Sequence, residues 1–227
     1  MTPSRDTRFP SITPWTTIAA LAIAFVVLAI LARVVGTLPG DLAISEFVQR
    51  AHGQIPRGIW HVGNTFGTTM YAVGVFVLVL IAMLIVRWWR EAIFLALVMV
   101  GRILAMPLKE LLHSPRPTSA QLTIVEIEEG FGFPSGHTLT ATILFGGLVV
   151  IAIRRAPQVD RRLLLAIWVL GVLATIFARV WSGAHWSSDT LGSVLLGLSI
   201  VLTAANLSAL IVRRTSTSVQ AASHPQT

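Results

Sequence analysis

Apolar residues run along this chain in long blocks, and the blocks are about the length a bilayer demands. A hydrocarbon core about 30 Å thick takes roughly 20 helical residues at about 1.5 Å each. Six stretches come close: 17–35, 69–86, 91–108, 137–153, 162–180 and 190–212. Arg102 interrupts the third, and arginines bound the fifth. The first follows Arg5 and Arg8 as a secretory signal would. Its apolar run exceeds a signal core and no small-x-small cleavage site follows, so it is read as a span. Between the first two spans, Asp41–Arg50 places apolar residues at 42, 44, 47 and 48, a spacing that predicts a short amphipathic helix at the interface. The pattern predicts an all-α, polytopic membrane bundle of six transmembrane helices. Its expected divisions are an N-terminal segment 1–16, a six-span domain 17–212 and a tail 213–227. That tail, rich in Ser, Thr, Ala and Gln, is predicted to be disordered.

Composition agrees with the pattern. Hydrophobic residues make up 54% and charged residues 12% of the chain, where a soluble domain carries about a quarter charged. The mean hydropathy is +0.76. These values exclude a disordered chain and argue against a cytosolic globule. The absence of cysteine excludes disulfides, thiolate metal sites and cysteine nucleophiles. A net charge of +7 raises nucleic acid as a partner, but the basic residues stand in pairs at the ends of apolar runs. That is membrane anchoring, and no nucleic-acid partner is expected. Arg5 and Arg8, Arg87 and Arg90, Arg154, Arg155, Arg161 and Arg162, and Arg213 and Arg214 mark the cytoplasmic segments. Both termini are then inside. The connections 36–68, 109–136 and 181–189 face the periplasm or exterior, as expected for a multi-pass inner-membrane protein. Tryptophans such as Trp88, Trp89, Trp181 and Trp186 fall mostly near the expected membrane edges.

Three polar groups gather on the outward connections. The first is Lys109, the chain's single lysine, with Arg116-Pro117 seven residues on. The second is Pro134-Ser135-Gly136-His137, directly before an apolar run. A helix starting there points free backbone N–H groups outward, an anion site, with Ser135 able to cap it and Gly136 letting a phosphate come close. The third is Arg179, His185 and Asp189. Residues four apart on a helix can meet, so Asp189 can hold one ring nitrogen of His185 and leave the other free. Ser187 and Ser188 are expected to cap the sixth span. Taken singly, each group has a bland reading as a snorkelling lysine, a capped helix start or an interfacial histidine. Together they supply three cations, two histidines and one carboxylate on one side of the membrane. That set suits a phosphate better than a metal ion, which the cations would repel.

The order Lys109-x6-Arg116-Pro117, Pro134-Ser135-Gly136-His137, Arg179-x5-His185-x3-Asp189 resembles the signature of the type 2 phosphatidic acid phosphatase superfamily. Gly130-Phe131-Gly132-Phe133, His185-Trp186 and the six spans extend the likeness over most of residues 15–212. The resemblance implies a membrane lipid phosphatase acting on undecaprenyl diphosphate or a phospholipid phosphate. It implies His185 as a nucleophile forming a phosphohistidine, Asp189 as its orienting carboxylate and His137 as general acid and base. Lys109, Arg116, Ser135, Gly136 and Arg179 would hold the phosphoryl oxygens, with no metal and no cofactor. Two positions depart from the pattern: Ala178 stands where serine is common, and Ser187 where proline is frequent. The alternatives are a lipid phosphotransferase sharing the first half-reaction, or a non-catalytic phosphate-binding membrane protein. The lipid and the oligomeric state are left open by the residues.

Several residues are set outside the expected site. Arg102 is read as a bridge between helices, and Glu126, Glu128 and Glu129 as a solvated acidic face. His113 is a candidate for the entrance, while His52 and His61 are read as interfacial.

Overall fold

A computed structural model describes residues 13–51, 54–156 and 158–223. Among them there are nine helices and no strand: α1 (Trp15–Val35), α2 (Asp41–Gln49), α3 (Gln54–Gly67), α4 (Thr69–Ile85), α5 (Trp89–Leu104), α6 (Leu108–Leu112), α7 (Gly136–Arg155), α8 (Arg161–Trp181) and α9 (Ser187–Ser223). Five segments are long and apolar enough to cross a bilayer unaided: 15–35, 89–112, 136–155, 161–181 and 187–212. The remaining expected span is α4, whose 17 residues rise about 26 Å. It continues from α3 through a bend of 50° and counts as a sixth crossing when the pair is taken as one.

The chain runs up and down, so that α1, α5 and α8 finish at one end of the bundle, where α4, α7 and α9 begin. At the opposite end Thr13 and Asn206 are bonded twice, N–H to Oδ1 at 3.1 Å and Nδ2–H to O at 2.8 Å. The buried carboxylate of Glu91 meets Arg155 there as well. Large apolar side chains line the outside, including Val26, Ile30 and Val34 on α1, Leu78 and Ile85 on α4, and Leu170 and Leu173 on α8. Hydrocarbon solvates such a surface as well as a protein core does, so close packing and polar ties must hold the helices together. A core of Phe76, Phe94, Leu95, Val98, Leu139 and Ile143 fills the space among α4, α5 and α7.

The connection between the first two spans holds two helices where one was expected. The helix expected over 41–50 is α2, and its inward face is polar: Asp41 and Ser45 are buried, while Leu42, Ile44 and Phe47 face out. Asp41 accepts from Leu38 N–H at 2.9 Å, Ser187 Oγ–H at 2.7 Å, and Ser188 N–H and Oγ–H at 2.9 and 2.7 Å. The start of α9 is therefore capped by a carboxylate from a distant helix, while Ser187 and Ser188 donate to it. The second helix, α3, was not anticipated; it packs along α8. At the other end of the chain, α9 stays helical to Ser223, where composition predicts disorder. That stretch holds no glycine or proline to break the helix. Residues 1–12 of the expected N-terminal segment, and His52, lie outside the described residues.

Candidate active site

Four segments converge at the end of the bundle where α7 and α9 begin. Ser193 Oγ–H donates to the backbone oxygens of Ser135 and Asp189, at 2.9 and 2.7 Å, and ties the two helix starts together. Ser135 caps α7: its Oγ accepts from Thr138 Oγ1–H at 3.2 Å and from Thr138 N–H at 3.5 Å. That hydroxyl is fully buried and accepts twice from Thr138 in the first turn. Gly136 and His137 form the half-buried lip of the first turn.

His185 sits in the short link between α8 and α9, completely buried. Its Nδ1 is 3.2 Å from Asp189 Oδ2, which also accepts Trp186 N–H at 3.0 Å. On the other side of the ring, Nε2 is 3.2 Å from Arg116 Nη1. A guanidinium can only donate and this carboxylate only accept, so with Glu128 away from the ring the proton falls on Nδ1 and a lone pair on Nε2. The two glycines that stand closest fit by having no side chain. A Cβ on Gly132 would lie 2.9 Å from Asp189 Oδ2, and one on Gly67 would lie 2.6 Å from His137 Cβ.

Arg116 is held by three backbone carbonyls, those of Ala184 at 2.7 Å, Gly130 at 3.0 Å and Glu129 at 3.3 Å. Arg179, fully buried, donates to Asn64 Oδ1 at 2.6 Å and to Glu126 Oε2 at 2.9 Å. Asn64 belongs to α3, so the unanticipated helix brings an amide beside the arginine that follows Ala178. Lys109 lies on α6 at the edge of the same cavity, and no carboxylate pairs with it among the described residues. That cavity measures about 370 Å³ and is lined by Arg102, Lys109, Arg116, His137 and Glu128 among others. A shallower groove between α2 and residues 119–124 is larger, about 650 Å³, but holds none of the expected site residues.

The largest departure from the sequence reading is the acidic loop, which turns inward. The Glu128 carboxylate pairs with Arg116 Nη1 at 2.8 Å and, more tightly, with Arg179 Nη2. It also lies 3.7 Å from His137 Nδ1 and 3.5 Å from His185 Nε2. Burial works against its charge. The His185 ring and the Arg179 and Arg116 guanidiniums outweigh that penalty and hold the carboxyl well below the usual range. Burial also lowers Arg116 from its ordinary value, against the pull of Glu128 and Asp189. Glu126 joins the cluster through Arg179, while Glu129 stays exposed.

The loop folds inward because its backbone is anchored there. Val125 N–H donates to Ser182 O at 2.9 Å, and Gly132 N–H to Ser114 O at 2.8 Å. Within this cluster, Arg179 Nε and Asp189 Oδ1 are buried with no hydrogen-bond partner among the described residues. No group of three or more His, Asp or Glu there is arranged to hold a metal ion.

The other candidates scatter. His113 ends α6 with its ring against Phe131 at 4.3 Å, and His61 packs on Trp60. Trp186 is fully buried beside the site, so its ring does not face lipid as a belt tryptophan would. Lys109, Arg116, Gly136, His137, Arg179, His185 and Asp189, written far apart in the chain, meet at one end of the bundle.

Known proteins share this fold. The chain is 26% identical over 186 residues to phosphatidylglycerophosphatase B of Bacillus subtilis (strain 168), covering 79% of this chain and 88% of that protein. It superposes on the crystal structure of a transmembrane PAP2 type phosphatidylglycerolphosphate phosphatase from Bacillus subtilis with a TM-score of 0.72 at 22% identity. That match covers 86% of this chain and 96% of the solved one. The profile of the PAP2 superfamily matches residues 90–212, more than half of the chain and every position from Lys109 to Asp189. This multi-pass membrane protein therefore belongs to the PAP2 superfamily and, with it, to the membrane phosphatases.

Proposed function

We propose that the protein hydrolyses a lipid phosphate or diphosphate at the outer face of the membrane. The observation that carries this reading is the position of Glu128, a single anion within reach of two guanidiniums and both imidazoles. A phosphoryl group offers those donors the same charge with more oxygens. Arg116, Arg179 and Lys109 would neutralise it once Glu128 withdraws, and the Gly136 N–H at the start of α7 adds a backbone donor. The unpartnered Nε of Arg179 is a further donor for it.

In this reading His185 Nε2 attacks phosphorus with its lone pair, the bond from phosphorus to the lipid oxygen breaks, and His137 protonates that oxygen. Asp189 stabilises the charge that builds on the ring. Water then attacks the phosphohistidine, His137 takes its proton, and inorganic phosphate leaves with His185 restored. The three cations make a metal ion unnecessary to this scheme. Ala105, Met106 and Leu139 line the cavity beside the charges, which supports a substrate with an apolar tail. The name of the relative, phosphatidylglycerophosphatase B, supports a phospholipid phosphate. Arginines at the opposite end of the bundle support an outward-facing site and cytoplasmic termini.

The test is phosphate release by purified protein from lipid phosphates in detergent. His185→Ala is expected to abolish it while the protein stays folded, EDTA to leave it nearly intact, and vanadate to inhibit it. Full activity in His185→Ala would remove the assignment, and complete loss in EDTA would point to a metal centre.

A further inference from the structure

One cation in the same cavity takes no part in that chemistry. Arg102 lies near the end of α5, about two helical turns before Lys109 and so deeper along the span. Its Nε–H donates to Thr140 Oγ1 at 3.3 Å, one turn into α7 from the Gly136 lip. Its Nη2 comes within 3.9 Å of the point where a Cβ on Gly136 would stand. Arg116, Arg179 and Arg155 each pair with a carboxylate, whereas none pairs with Arg102 among the described residues. Holding a permanent charge at this depth without a counter-ion is costly. A bridge from α5 to Thr140 needs one donor and no charge. The other guanidinium donors lie in a cavity that already gathers Lys109, Arg116 and His137.

The chain also sets an order along this cavity. Arg116 and His137 stand at its outer end, Lys109 follows, and Arg102 lies inward beside Ala105 and Leu139. A lipid whose tail lies in the bilayer would place its terminal phosphoryl group outermost. Any second anionic group between that phosphoryl and the tail would then pass Arg102. We propose that Arg102 forms a second anion subsite, which takes the tail-side phosphate of the substrate. The preferred substrates are then lipids with two phosphorus groups in series, either a diphosphate or a phosphodiester carrying a terminal phosphomonoester. In a diphosphate, the bond that breaks joins the terminal phosphorus to the bridging oxygen. His137 protonates that oxygen, and Arg102 neutralises the phosphate left on the lipid. This proposal rests on the phosphohydrolase reading above.

The experiment compares kcat/KM within two pairs of equal tails: a polyprenyl diphosphate against its monophosphate, and phosphatidylglycerol phosphate against phosphatidic acid. The wild-type protein is expected to favour the two-phosphorus member of at least one pair, and that pair identifies the source of the second anion. Arg102→Gln is expected to lower that ratio by about 10- to 100-fold, the worth of a charge-assisted hydrogen bond, with Arg102→Lys retaining part of it. A wild-type ratio near one in both pairs, or a ratio that Arg102→Gln leaves intact, overturns the proposal.

An arm on wild-type protein alone guards against a variant that fails to fold. A non-hydrolysable alkyl methylenebisphosphonate is expected to inhibit at least about tenfold more tightly than the alkyl phosphonate of the same chain. Equal inhibition overturns the subsite. Should the wild-type protein release phosphate from none of the four lipids, the hydrolase reading fails by itself, and the same two compounds compared by direct binding without turnover still decide the subsite.

Discussion

Glu128→Gln keeps the shape of the side chain and removes the charge that holds it among the cations. The carboxylate pairs with Arg116 at 2.8 Å and with Arg179, and its side chain is 19% exposed. A hydrogen bond to a charged group is worth about 1.5–3 kcal/mol net. A phosphate that displaces Glu128 must break two such contacts, while the released carboxylate regains water and the cations regain an anion. The displacement then costs about 1–3 kcal/mol, and removing it tightens anion binding by about 5- to 150-fold. The assay is inhibition of lipid dephosphorylation by inorganic phosphate and by vanadate, comparing wild-type protein with Glu128→Gln in one detergent. Both inhibition constants are expected to fall in the variant, and the KM for lipid to fall with them. Constants that stay the same or rise in a folded variant would refute the reasoning, because the carboxylate would then not compete for the anion's place.

The other predictions concern the acid range, the catalytic pair and the packing behind it. The folded pKa of Glu128 is depressed, so its contribution is fully present above the unfolded value of about 4.3 and is lost only as pH falls through the lower folded value. Between pH 5 and 8 it does not titrate, and vanadate inhibition of wild-type and Glu128→Gln proteins is expected to follow parallel pH curves. A break seen only in the wild type would contradict this. Asp189→Asn leaves the His185 ring without its carboxylate acceptor and is expected to lower kcat by about a hundred- to ten-thousandfold with KM little changed. A drop below tenfold would remove Asp189 from the orienting role. Gly67→Ala drives a methyl group 2.6 Å from His137 Cβ. It is expected to cost about 1–3 kcal/mol in thermal stability and to lower kcat. Unchanged values for both would show that α3 yields freely.

What could be read from the chain alone follows from the range over which each signal acts. The spans were legible because bilayer thickness sets helix length residue by residue, and five of the six expected stretches stand as helices able to cross unaided. The juxtaposition of His185 with Asp189 was legible as well, since residues four apart across a helix start lie close without tertiary information. The distant partners were not. Nothing near Glu128 says that its loop is pinned at Ser182 and Ser114, so a run of acids beside glycines reads as solvated surface. The reach of Asp41 to the start of α9 crosses 147 positions, and local rules assigned that cap to the nearest serines. Helix α3 escaped because its polar residues broke the apolar run that betrays a span. Those same residues include Asn64, which meets Arg179, and Gly67, which leaves room for His137. Sequence signals in this protein are strong where lipid dictates them, and they fade at the polar end of the bundle, where buried charges select partners by geometry.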